Sequence, residues 1–105
     1  MSIKSVLQEE LNNSQRIKIR FEKELNNLPK GSLIKKRINE NIYYYKVFRE
    51  GKKVNFEYMG KKLSDKEIDE WEEIKIKRSK LRKNISVLKK QIKFLNGALR
   101  GKEEI

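Results

Sequence analysis

Hydrophobic periodicity changes twice along this chain, and the two changes constrain its fold more than any other feature. From Ser2 to Leu28 the apolar residues Ile3, Leu7, Leu11, Ile17, Phe21, Leu25 and Leu28 recur at steps of three, four or their sums. That is the spacing of one helix face. Pro29 then restricts Leu28 to extended geometry, and Gly31 permits a sharp change of direction. Across 32–62 the period falls to two: Val54, Phe56 and Tyr58 alternate with Asn55 and Glu57, and Ile42 to Phe48 is rich in the aromatic and β-branched residues that suit a pleated surface. Glu50-Gly51-Lys52 reads as the turn between these strands. Asn39-Glu40-Asn41 separates them from a weaker first strand at Leu33 to Ile38.

Helical spacing returns at Ser64, which has Glu67 three residues on, the pattern of a reciprocal capping box. Asp65, Glu67, Asp69, Glu70, Glu72 and Glu73 crowd the first turns of this helix, where carboxylates meet the positive end of the dipole. That structural role accounts for them without a paired-carboxylate active site. Beyond Trp71 the positions Trp71, Ile74, Arg78, Leu81, Ile85, Leu88, Ile92, Leu95 and Leu99 form a heptad seam broken by Arg78. Ile85 and Ile92 fall at a, and Leu81, Leu88 and Leu95 at d.

The expected fold is α+β and mostly α: two long antiparallel helices, a coiled-coil hairpin, joined by a three-stranded antiparallel β-meander. A chain of 105 residues with 36% apolar and 40% charged content carries one domain at most and buries a thin core. The expected parts are helix one at 2–28, the meander at 32–62, helix two at 64–99 and a disordered tail at 100–105. A return through the meander brings Leu25 and Leu28 near Ile68 and Trp71. Helix one then spans roughly 40 Å and helix two roughly 50 Å, at ~1.5 Å per residue, so the turns around Phe94 and Leu95 overhang. Ser14 and Lys18 fall near the seam of helix one and weaken the hairpin's middle. Both features leave apolar surface for a second copy, and a homodimer is expected.

Charge points to partners. Subtracting 15 acidic from 27 basic residues leaves +12, with no histidine, a balance that favours DNA, RNA or acidic surfaces. The competing explanation is a lysine-rich surface inherited from an AT-rich genome. Without cysteine or histidine the chain has no disulfide framework, no thiolate nucleophile, no Cys- or His-based metal site and no imidazole base. No metal, cofactor or enzymatic activity is therefore expected. Neither a signal peptide nor the ~20 apolar residues of a membrane span is present, so the chain reads as soluble and cytoplasmic.

Two stretches concentrate the cations. From Lys75 to Lys93 there are nine and no acid, a ridge able to track phosphates unless Glu9, Glu10, Glu22 and Glu24 of helix one neutralise it. From Lys30 to Lys62 there are ten against Glu40, Glu50 and Glu57, a local net of +7. Basic residues interleaved with aromatic ones suit phosphates and bases. Candidate nucleic-acid contacts are therefore Lys35, Lys36, Arg37, Lys46, Arg49, Lys52, Lys53, Lys77, Lys80 and Lys83. On the central strand Tyr43, Tyr45 and Val47 share one face and Ile42, Tyr44, Lys46 and Phe48 the other. One face must cover the helix ends and the other is open to a partner, although tyrosines with core rings and wet phenols would give the same pattern. Candidate partner contacts are Tyr43, Tyr45, Phe94 and Leu95.

The run Leu28-Pro29-Lys30-Gly31-Ser32, then Tyr43-Tyr44-Tyr45, then Arg49-Glu50-Gly51-Lys52-Lys53-Val54, then Tyr58-Met59-Gly60-Lys61-Lys62 resembles a group of small uncharacterised bacterial and archaeal proteins with an LPKGS-YYY-REGGK-YxGK core and a following coiled-coil helix. The same core is similar to the amino-terminal hairpin of some insertion-sequence transposases. The resemblance covers about 35 residues and implies a phage or mobile-element setting without transposase activity, since the catalytic domain of those enzymes is absent. Lys52 departs from the pattern, standing where a second glycine is usual. Chains from such settings include DNA-binding accessory proteins and inhibitors of host defence nucleases, among them anti-CRISPR proteins.

Three functions follow as expectations. The first is a non-enzymatic nucleic-acid-binding accessory protein that grips phosphates through the meander and helix two. The second is a protein inhibitor of a nuclease that binds the effector or its guide RNA. The third is an oligomerising coiled-coil scaffold.

Overall fold

A computed structural model describes residues 2–101. It contains two helices and one sheet, in the order α1 (Ile3–Asn27), β1 (Ser32–Ile38), β2 (Asn41–Glu50), β3 (Lys53–Gly60) and α2 (Asp65–Gly101). The sheet is an antiparallel meander of order β1-β2-β3, so the α+β architecture expected from periodicity is the one present. Arg100 and Gly101, expected in a disordered tail, are the last residues of α2; 102–105 lie outside the described residues.

Both helices start on a serine. The Ser64 hydroxyl accepts a hydrogen bond from the Glu67 backbone N–H at 3.2 Å, which is the serine half of the expected capping box. Ser2 does the same for Ser5 N–H at 3.1 Å. Each satisfies one of the backbone donors that a helix start leaves unpaired.

The chain divides into two compact units, a helical unit of α1 with α2 from Arg78 onward and a sheet unit over Leu28–Lys77. In the helical unit the helices run antiparallel. Lys4, Gln8 and Leu11 line one cleft with Asn96, Leu99 and Arg100; Glu22, Leu25 and Asn26 line another with Arg82, Ile85, Ser86 and Lys89. The buried residues are Leu11 and Ser14 from α1 and Leu81, Ile85, Leu88 and Leu95 from α2. Those of α2 are the a and d positions of the heptad, which is knobs-into-holes spacing.

This register corrects the expected one. The difference lies at Leu25, which faces Arg82 and Ile85, whereas Leu28 belongs with Ile68 and Trp71 to the sheet unit. The first turns of α2, up to Lys77, belong to the sheet unit, so pairing with α1 begins more than a helical turn later. Consequently the C-terminal turns of α2 do not overhang: Leu95 is core and not a free partner contact, while Phe94 beside it is 72% exposed. Ser14, at 2% exposure, is the most buried of the described residues, and Ile17, expected on the apolar face, is 36% exposed. The heptad through Leu7, Leu11, Ser14, Lys18, Phe21 and Leu25 passes beside Ile17 and through the small serine instead.

In the sheet, β1 and β2 pair with Ile34 opposite Tyr45 and Lys36 opposite Tyr43. Strands β2 and β3 pair with Tyr45 opposite Tyr58, Val47 opposite Phe56 and Glu50 opposite Lys53. The Gly51-Lys52 turn between them has φ +61° at Gly51, and Lys52 is not among the positive-φ residues. That is the φ pattern of a type II′ turn, which requires glycine only at its first central position. Lys52 is thereby accommodated where a type I′ turn would disfavour it. Near the other end of β3 the register shifts between Tyr44 and Tyr45, with Gly60 opposite Tyr44, so Met59 is the extra residue of a bulge. Gly60 takes φ +125° there.

Candidate nucleic-acid interface

Alternation sorts the sheet side chains onto two faces. One holds Leu33, Lys35 and Arg37 from β1, Ile42, Tyr44, Lys46 and Phe48 from β2, and Asn55 and Glu57 from β3. Trp71 of α2 covers this face: the Lys46 ammonium lies 5.5 Å from the Phe48 ring and 5.8 Å from the Trp71 ring. Ile68 and Ile74, one turn to either side of Trp71, are half-buried with it. Lys46, a candidate phosphate contact by sequence, is thus half-buried between two aromatic rings, its stem packed and its charge held over their faces.

The opposite face holds Ile34, Lys36 and Ile38 from β1, Tyr43, Tyr45, Val47 and Arg49 from β2, and Val54, Phe56 and Tyr58 from β3. This face is open: Phe56 is 57% exposed and Tyr58 54%, and Val54 and Ile38 are also exposed. Tyr58 sits between two tyrosines of β2, its ring centroid 5.5 Å from Tyr45 and 6.3 Å from Tyr43, both tilted. Both separations fall within the range of about 4.5–7 Å at which aromatic rings attract one another. The Lys36 ammonium reaches over the centre strand to lie 5.5 Å from the Tyr45 ring and 5.2 Å from the Phe56 ring. Lys61, brought round by the bulge, stands 5.5 Å over Tyr43.

Charge is distributed unequally between the faces. Glu50 and Glu57 alternate onto the covered side, and no acidic strand residue falls on the open one. Lys36, Arg49 and Lys61 therefore surround an aromatic patch with no carboxylate interleaved. Among the other candidates, Lys35 and Arg37 are exposed on edge strand β1, Lys52 is exposed in the turn, and Lys53 is exposed opposite Glu50. Lys77 is exposed in the sheet unit, and Lys80 and Lys83 are exposed on α2 in the helical unit. Alternation alone puts Tyr43 and Tyr45 on one face; the structure adds Phe56, Tyr58 and Lys61 to the site. The hairpin closed by Glu50 and Lys53 already puts Tyr58 opposite Tyr45; Lys61 depends on a bulge that no turn signature marks.

The helical unit carries its own cations. Glu22 shares a cleft with Arg82 and Lys89 but forms its 3.0 Å ion pair with Lys18 on its own helix. Glu9, Glu10 and Glu24 are exposed. Among the described residues no group of three or more His, Cys, Asp or Glu side chains is placed to hold a metal ion. Among the described residues, no helix is long and apolar enough to cross a membrane.

No protein-family model, curated protein or solved structure matches this chain.

Proposed function

We propose that this chain is a non-enzymatic nucleic-acid-binding protein, an accessory of a phage or mobile element, whose open sheet face takes the phosphate backbone. The observation that carries this reading is the sorting of charge in the sheet: Lys36, Arg49 and Lys61 lie on the uncovered face with exposed aromatic rings, and the strand carboxylates lie on the other. Cations beside aromatic rings meet both demands of a nucleic acid, phosphate neutralisation and a surface for sugars and bases. The exposed Lys80 and Lys83 of α2 add favourable long-range potential.

The test is fluorescence anisotropy of labelled oligonucleotides with two charge reversals compared, Lys36→Glu/Lys61→Glu on the open face and Lys35→Glu/Arg37→Glu on the other. Both change net charge equally. The open-face pair should lose affinity several times more than its counterpart; equal losses would reduce the interaction to bulk charge.

A second reading is favoured by Phe94, which is 72% exposed and lines a shallow apolar groove with Gly97, Ala98 and the stems of Lys90 and Lys93. Such a patch suits a protein partner, as a nuclease inhibitor or a self-associating scaffold would require. Recovery of a nuclease from host lysate that survives nucleic-acid digestion and is lost with Phe94→Lys supports the inhibitor. Sedimentation of a dimer that the same change dissociates supports self-association.

A further inference from the structure

We infer that the open sheet face selects single-stranded nucleic acid, stacking unpaired bases on Phe56 and Tyr58. This rests on the nucleic-acid reading above and names the substrate class of that site.

Two residues of one strand with the same facing stand about 6.6 Å apart, from a rise of ~3.3 Å per residue. That is roughly twice the ~3.4 Å spacing of stacked bases along one strand of a duplex. Phe56 and Tyr58 therefore match consecutive bases of an extended strand better than bases stacked within a helix. A duplex also hides the faces of its bases, so an exposed ring has nothing to stack on there except a terminal pair. An unpaired base offers its whole π-face, and every base has one.

The rings are also prepared for this contact. Tyr58 is braced by Tyr43 and Tyr45 at 6.3 Å and 5.5 Å, so little rotamer freedom remains to be lost on binding. Lys36, 5.2 Å from the Phe56 ring, is near enough to release that ring to a base and engage the adjoining phosphate. Lys61 over Tyr43 supplies a second cation and Arg49 a third, on a face without strand carboxylates. A protein partner chosen for exposed aromatic rings alone would not call for three cations and no acid around them. Charge complementarity therefore selects the polyanion.

The experiment compares labelled 15-nucleotide oligothymidine, oligouridine and a 15-base-pair duplex against wild type and Phe56→Leu/Tyr58→Leu, which keeps apolar bulk without planar rings. Wild type should prefer both single strands to the duplex. The leucine variant should lose single-strand affinity on the order of 10- to 100-fold with duplex affinity nearly unchanged. Wild type that binds duplex as tightly as single strands, or a leucine variant that keeps single-strand affinity, overturns the stacking inference and leaves the nucleic-acid reading standing. Absence of binding in every arm overturns both. Phe56→Trp gives a readout independent of leucine folding: its indole emission above that of Trp71 should be quenched by oligothymidine and not by duplex, and unquenched emission at saturation contradicts stacking. Preference between the two single strands then reports the joint effect of the 2′-hydroxyl and of the thymine methyl group.

Discussion

Tyr58 lies opposite Tyr45 in the β2–β3 register, with ring centroids 5.5 Å apart and planes inclined at 53°. The pair holds one exposed ring in place on the open face and links folding of the sheet to presentation of the site. Tyr58→Ala removes this contact and the one to Tyr43, and should lower stability by about 1 kcal/mol. Urea unfolding followed by far-UV circular dichroism measures the loss. Tyr58→Phe keeps the rings and should fall within a few tenths of wild type.

Gly31 enters β1 with φ +96°, and a Cβ there would stand 2.8 Å from the Val47 carbonyl oxygen. Both backbone strain and a clash with the centre strand oppose any side chain. Gly31→Ala should cost about 2–4 kcal/mol, read as a fall in the thermal midpoint.

The type II′ assignment separates two substitutions in one turn. At Gly51 φ is +61° and nothing lies within 4 Å of a built Cβ, so Gly51→Ala should cost only the conformational penalty of about 1 kcal/mol. Lys52→Gly should also destabilise, by roughly 0.5 kcal/mol through unfolded-state entropy. Were Lys52 in a left-handed conformation, glycine there would stabilise, and urea midpoints distinguish the two.

In the helical unit Ser14 is 2% exposed and occupies a seam position where a larger residue would be pressed against α2. Ser14→Leu should cost about 1–3 kcal/mol from overpacking. Leu81→Ala should cost about 2–5 kcal/mol through the cavity it leaves. By contrast Glu22→Gln breaks an intrahelical pair with Lys18 whose side chains remain partly exposed, and should change stability by no more than about 0.5 kcal/mol.

Much of this fold was legible in the chain because the signals were local. Pro29 and Gly31 end a helix, Ser64 starts one, and the alternation through Val54, Phe56 and Tyr58 marks a strand. Helix register was not legible. It depends on how many turns of α2 the sheet claims, and Trp71 fits a heptad position as well as a sheet lid. For the same reason Leu95 is core where the sequence suggests an overhanging turn. For the site, alternation puts Tyr43 and Tyr45 on one face of the central strand without saying which face is open, and Lys46 and Lys36 look alike in sequence. Only Trp71 covering one face distinguishes them.

Binding to the open sheet face is tested most directly by an NMR titration of isotope-labelled protein with 15-nucleotide oligothymidine, following backbone amides and aromatic side chains together. The largest saturable shifts should fall on the Phe56 and Tyr58 rings and on the amides of Lys36, Tyr45 and Lys61. The apparent affinity should fall with added salt at a log–log slope of about −0.7 for each phosphate neutralised. Shifts confined to the cationic stretch of α2 around Lys80 and Lys83, or to the covered face around Lys46 and Trp71, would contradict it.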